Sequence, residues 1–390
     1  MTGLRTPITI VNPPRIAGLD IARALAIIGM VAAHMTTAPD LIIGNPETWV
    51  GIIHGNTSLL FALLAGVSIS LMTKSVRQGR DDITRARLRL IGRGAAIFTI
   101  GIFLELFATP IAIILPLFGI LYLALLPFLR FTPAQLLAAA AIVFVLGPPL
   151  TQLVLQLEPH GTASRLLFMD PYPITSWLAL GLIGMLVGQL DLQSAQLNLI
   201  MITGGVGLAL IGYALAGLAG AEAGREPQES GWVAYTPLSD QKYGEHLQDP
   251  GPFDWIGTGV MLSEPHTGGL LELVIGCGVS LAVLGACLLL GRTVLRWALL
   301  PLAALGSMPL TVYSVHVIIY VFVYGSINAP DFTGPQDGDT AWLWMLAGLL
   351  LASTVWALTV GRGPLESLMR LAGKSAAGEP STRRQDQVQQ

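Results

Sequence analysis

The stretch from Arg15 to Ser70 opens with RIAGLDIARALAIIGMVAAH (15–34) and closes with IIHGNTSLLFALLAGVSIS (52–70). Both runs are apolar and close to the roughly 20 residues a helix needs to cross a hydrocarbon core. They nevertheless carry Asp20, Arg23, His34 and His54. A charged side chain at mid-bilayer costs about 3 kcal/mol or more, so such residues mark functional positions by default.

The rest of the chain agrees with a membrane setting. Of 390 residues, 53% are apolar and only 12% charged, with a mean hydropathy of +0.66. A soluble domain carries about 25% charged residues. We expect an all-α, multi-pass bundle in the plasma membrane, with the lipid bilayer as its solvent. Runs of suitable length fall at 17–39, 49–73, 91–109, 111–129, 133–156, 174–190, 198–219, 268–291, 304–326 and 340–361, about ten transmembrane helices. Pro110, Pro116 and Pro127 interrupt the pattern around the third to fifth. The first run flows into the second without a small-residue cleavage site, unlike a signal peptide. A net charge of −3 gives no bulk attraction to nucleic acid. Cys277 and Cys287 share one apolar run and read as small core residues.

Basic residues set the orientation. Lys74, Arg77, Arg80, Arg85, Arg87, Arg89 and Arg93 crowd one loop, and Arg130, Arg292 and Arg296 fall in loops of the same parity. Both termini are therefore expected in the cytoplasm. The largest outer loop, 220–267, is rich in Gly, Pro and acids and carries Trp232, Tyr235, Tyr243, Phe253 and Trp255. Residues 1–372 form one expected domain, and the polar segment 373–390 an expected disordered tail.

In the first span Asp20 and Arg23 are three residues apart and share a helix face. Arg23 and His34 are eleven apart, about three turns, so they lie on one stripe separated by about 16 Å. The stripe would run from a cytoplasmic arginine to an outward-facing histidine, a polar track for a long ligand. The competing account is a structural ion pair plus an interfacial histidine. His54 opens the second span, followed by Gly55, Asn56, Thr57 and Ser58. A helix N-terminus presents free N–H groups to an oxyanion. It disfavours imidazolium, so His54 is expected to be neutral and able to take a proton from a hydroxyl or amine. Capping of the helix alone is the alternative.

Further polar positions stand near the same expected outer face. SEPHTGGLLELVIG (263–276) carries His266 and Glu272, and Glu105 ends the third span. In GSMPLTVYSVHVIIYVFVYG (306–325), Tyr313, His316, Tyr320 and Tyr324 recur at helical spacing. Hydroxyls in such spans usually glue helices together, so His316 is the residue to watch. Glu105, His266, Glu272 and His316 are candidate acceptor-binding residues. Gly181, Gly184 and Gly188 fit close helix packing. Nucleotide-binding glycine motifs, a GxSxG elbow and Cys/His sets of metal spacing are absent, so no metal is expected.

Arg23 to His34, following Gly18-Leu19-Asp20, forms an R-x10-H pattern that resembles the transmembrane acyltransferase superfamily. IIHGNTSLLFALLAGVSISL (52–71) resembles heparan-α-glucosaminide N-acetyltransferases. PHTGGLLELVIGCG, SMPLTVYSVHVI and GPLESLMRLA resemble segments of the bacterial YeiB-like branch. The resemblance touches both ends of the chain and is weak between about 110 and 220. It implies acyl transfer from cytoplasmic acyl-CoA, with acetyl-CoA as donor, to an extracytoplasmic glycan or glycolipid acceptor. It implies that Asp20, Arg23, His34, His54 and Asn56 line the site and that the protein is a homodimer. His54 and Asn56 fall on that family's catalytic histidine and its neighbour. We assign His34, His54 and Asn56 to catalysis and Asp20, Arg23 and Arg93 to the donor. Direct transfer and an acetyl-histidine intermediate use the same residues. A transporter of a lipid or small polar solute would also need buried ionisable groups, and a non-catalytic scaffold would not need the aligned stripe.

Overall fold

A computed structural model describes residues 16–36, 56–156, 172–222, 252–325 and 338–379. The described residues contain helices and no strand. In chain order they are α1 (Ala17–Met35), α2 (Asn56–Met72), the single turn α3 (Lys74–Arg77), α4 (Ile83–Glu105), α5 (Leu115–Ala124), α6 (Pro133–Gln156), α7 (Ile174–Val187) and α8 (Ala195–Glu222). They continue with α9 (Pro252–Met261), α10 (Leu270–Leu290), α11 (Leu300–Gly306), α12 (Pro309–Tyr324), α13 (Gly338–Thr359) and α14 (Pro364–Ala376).

Burial sorts these helices into an inner and an outer set. In α1, 72% of the spanning window is buried, although it holds Asp20 and Arg23. In α8 and α13 the buried share falls to 22% and 17%, and their bare faces are Leu, Ile and Trp. Apolar faces of that kind belong against lipid tails rather than water. Helix α1 therefore sits inside, packed by α2, α10, α11, α12 and α13.

Among the described residues, five helices are long and apolar enough to cross a membrane, six if the bent pair α11–α12 counts as one span. The remaining expected spans are shorter or more charged. Helix α5 has ten residues, about 15 Å of helix, roughly half the core thickness. Its limits follow from proline: Pro116 stands in its first turn and Pro127 opens a 3-10 turn at Leu126–Arg130. The expected continuous span at 304–326 is corrected to two helices meeting at 84°. Pro309 cannot donate to the preceding turn, and it pushes Met308 out of the helical region, to φ −134°, ψ 53°.

The break leaves helix N–H groups without partners, and α14 supplies one. Glu366 Oε1 accepts from the backbone N–H of Leu310 at 2.7 Å and of Thr311 at 3.1 Å. Its Oε2 accepts from the Thr311 hydroxyl at 2.6 Å. Helix α14 runs to Ala376, four residues into the segment expected as a tail. Residues 380–390 of the expected tail lie outside the described residues. Within the expected outer loop, α9 packs on α6, with Gly259 against the Pro148 carbonyl.

Glycines set most helix crossings. A Cβ on Gly66 would overlap the Gly181 carbonyl, and one on Gly184 the Leu63 carbonyl, so α2 and α7 touch backbone to backbone. This is the small-residue contact expected of membrane helices. Both cysteines are buried and free. Replacing Glu366 with Ala strands two backbone donors and costs about 2–3 kcal/mol. The Glu366→Ala protein should melt several degrees below Glu366→Gln, which keeps one acceptor oxygen, and equal melting temperatures would remove the cap from the account.

Candidate functional site

Asp20 and Arg23 form the ion pair their spacing suggests. Arg23 Nη1 lies 2.6 Å from Asp20 Oδ1, and Nη2 donates to Ser68 Oγ on α2 at 2.8 Å. The Asp20 side chain is 4% exposed and that of Arg23 21%. Ser68 itself donates to the Leu64 carbonyl, so its oxygen faces the guanidinium as an acceptor. The two innermost helices are thus joined by a charge-assisted bond in a low-dielectric setting. Gly306 of α11 lies directly over the Asp20 backbone carbonyl, so α11 and α1 touch backbone to backbone there.

About three turns along α1, His34 meets His316 of α12. Nδ1 of His34 lies 3.0 Å from Nε2 of His316, with nearly parallel rings whose centroids are 5.3 Å apart. One ring must donate and the other accept, so at this contact only one of the two nitrogens carries hydrogen. The pair is therefore a single proton-holding unit. Sequence alone places the two histidines 282 residues apart with no sign of this partnership.

A chain of aromatic contacts continues from the pair. Tyr313 packs edge-on to His316 at 5.1 Å, and its hydroxyl accepts from the Ile114 N–H at 3.4 Å. Two residues away in the same loop, the Ala112 carbonyl accepts from the Tyr172 hydroxyl at 3.3 Å. Tyr172 then packs edge-on to His266 at 5.3 Å. His34, His316 and His266 are thus linked through Tyr313, the 112–114 backbone and Tyr172.

His266 has φ +70°, a region that side chains other than glycine's seldom adopt. Glu272 holds it there. Its Oε1 accepts from the His266 N–H and its Oε2 from the Gly268 N–H, both at 2.7 Å, with the Thr267 hydroxyl at 3.3 Å. Glu272, with 4% exposure, is buried beneath the turn it holds. Such backbone strain persists only where its surroundings impose it, and it clusters at functional sites.

Asn56 opens α2 and is buried, donating from Nδ2 to the Tyr213 hydroxyl at 3.4 Å. His54, two residues earlier, lies outside the described residues. Glu105 ends α4 and is exposed, apart from the hydrogen-bonded set. Arg93 lies twelve residues before it on α4, about 18 Å along the axis. Arg93 donates toward Met72 Sδ at 2.7 Å. Asp20 and Arg23 are joined directly, and Arg93 reaches α2 from another helix through Met72. Sequence reading missed Ser68, Tyr213 and Tyr172. Only contact across helices identifies them, because their spacing carries no motif. Among the described residues, no three His, Cys, Asp or Glu side chains gather as metal ligands.

The family model described as heparan-alpha-glucosaminide N-acetyltransferase, catalytic, matches residues 15–219, more than half of the chain. That range holds Asp20, Arg23, His34, His54, Asn56, Arg93 and Glu105. A second model, described as a protein of unknown function (DUF418), matches residues 254–374, the part that contributes His266, Glu272 and His316. A search of curated proteins gives no match. With an all-helical bundle, several membrane-length apolar helices and this match, the chain belongs to the heparan-α-glucosaminide N-acetyltransferase-like, YeiB-like family of membrane acyltransferases.

Proposed function

We propose that the protein moves an acetyl group from acetyl-CoA on the cytoplasmic side to a hydroxyl or amine of an extracytoplasmic glycan or glycolipid. The observation that carries the proposal is the division of α1: an ion pair tied to α2 at one level, a histidine pair about 16 Å further along. A pantetheine arm is of comparable length, and both levels belong to α1, of whose spanning window 72% is buried. The positive-inside pattern supports the same direction, with Arg93 and its neighbours at the donor side.

In this reading Arg23 and Arg93 attract the donor, and Asp20 and Ser68 fix the Arg23 guanidinium. His54 takes the proton of the acceptor hydroxyl or amine as it attacks the thioester carbonyl. Asn56 donates to the developing oxyanion from Nδ2, turning from Tyr213 toward the substrate. The C–S bond breaks, CoA thiolate leaves, and the proton held by His54 returns to it. His34 and His316 keep one exchangeable proton beside the reacting end, and His266 orients the acceptor. Direct transfer needs no covalent enzyme intermediate, and acetyl-histidine on His54 would mark the stepwise variant.

Two experiments test these roles. Purified His54→Ala should lose acetyl transfer by about 10²–10⁴-fold, the usual weight of a general base. The loss should occur without loss of acetyl-CoA binding, and full retention of transfer refutes the assignment. His266→Gly separates role from fold, since glycine relieves the positive φ, a strain of about 1 kcal/mol. The variant should melt at or above the wild-type temperature while its KM for the acceptor rises; an unchanged KM assigns His266 to the turn alone.

A further inference from the structure

Between α4 and α14 lies a cavity of about 290 Å³ lined by Arg89, Arg93, Arg370, Gly373, Lys374 and Glu379. Arg89 and Arg93 are four residues apart on one helix, and so are Arg370 and Lys374 on the other. Residues at that interval share a face, so two cationic pairs look into one space. The two helices approach closely there: a Cβ on Gly92 would meet the Ala372 carbonyl at 2.5 Å, and one on Gly373 the Arg89 carbonyl at 2.8 Å.

The charges in and around this space do not balance. Arg89 bonds Glu379 at 2.5 Å and Asp81 at 2.6 Å. Its hydrogen bond holds the Asp81 carboxyl below the usual carboxylate range, so Asp81 stays ionised. Four cations still face two carboxylates. Arg93 spends a guanidinium N–H on a thioether, a weak acceptor. Membrane orientation accounts for basic residues near this surface, but it asks only that they lie in water. It does not ask for two helices to turn them inward onto a shared cavity. Like charges so gathered repel one another unless an anion joins them, and arginine forks match phosphate oxygens.

Helix α14 is fastened at both ends of this arrangement. Glu366 ties its start to α12, and Glu379, just beyond its end, ties it to Arg89. We propose that the α4–α14 cavity is a binding site for a phosphate-bearing anion, with Glu379 as the internal carboxylate that competes for Arg89. Two sources share this chemistry: the phosphates of CoA, and the headgroup of an anionic phospholipid in the adjacent leaflet. The first deepens the acyl-transfer proposal and rests on it; the second stands without it.

The test uses the full chain in phosphatidylcholine nanodiscs. Calorimetry measures the affinity for CoA and for dephospho-CoA, which lacks the 3′-phosphate. Thermal melting is compared with discs in which phosphatidylglycerol replaces part of the phosphatidylcholine. The variants are the double Arg370→Ala/Lys374→Ala and the single Glu379→Gln. If CoA is the source, the double variant should bind CoA at least tenfold more weakly and Glu379→Gln severalfold more tightly, with dephospho-CoA weaker than CoA on the wild type. If lipid is the source, phosphatidylglycerol should raise the melting temperature of the wild type, more so that of Glu379→Gln, and not that of the double variant. Glu379→Gln keeps every cation, so it decides alone should the double variant fail to fold. Unchanged CoA affinity together with an unchanged response to phosphatidylglycerol overturns the proposal. Acetyl transfer measured in parallel keeps the two proposals apart: anion binding that depends on these residues, without transfer, would defeat the enzyme and leave the cavity.

Discussion

A desolvated ion pair sets the terms for this bundle. Asp20 and Arg23 are on the helix that would otherwise be an ordinary apolar span, and removing two charges from water costs several kcal/mol per ion before any attraction offsets it. The helix must then be enclosed by protein that completes the hydrogen bonding. Ser68 on α2 does so for Arg23, and Gly306 packs α11 against the Asp20 backbone. From this follows the layered arrangement, with α1 inside and α8 and α13 turning apolar faces outward. Removing either partner alone would leave a charge in the interior, so the pair holds the surrounding helices to one arrangement.

Two devices let so many short helices share that interior. Glycines bring backbones together at the crossings of α2 with α7, α8 with α10, and α4 with α14, where dispersion and interhelical contact replace the hydrophobic effect. Helix ends and turns free backbone N–H groups, and buried carboxylates, one remote and one local, satisfy them. Glu366 serves the start of α12, and Glu272 serves the turn before α10. Glu272 reads from the sequence as a candidate acceptor-binding residue, whereas Glu366 carries no reading there; both are buried.

The membrane class, the helical composition and the family were legible in the chain because composition, run length and the Arg23–His34 interval are local properties. The Asp20–Arg23 bond was legible for the same reason: three residues on a helix fix the geometry. What sequence did not carry was contact between remote segments. Nothing at residue 34 points to residue 316, and nothing around Arg370 or Lys374 points to Arg89 and Arg93. Proline effects were visible but underused. Pro309 marks a break in the ninth expected span as plainly as Pro116 and Pro127 mark the fifth helix, yet a continuous apolar run from 304 to 326 conceals it. The His54 loop was read from the sequence alone, and that residue lies outside the described residues.

The central claim is that an acetyl group, and not its carrier, passes from one side of the bilayer to the other. The direct measurement uses sealed proteoliposomes of known protein orientation. Doubly labelled acetyl-CoA, with one label on acetyl and one on adenine, is supplied only at the face bearing Arg93, and an amino-sugar acceptor only at the opposite face. The expected result is acetyl label on the acceptor with the adenine label retained on the donor side. Passage of both labels together, or acetylation only of acceptor supplied on the donor side, would contradict it.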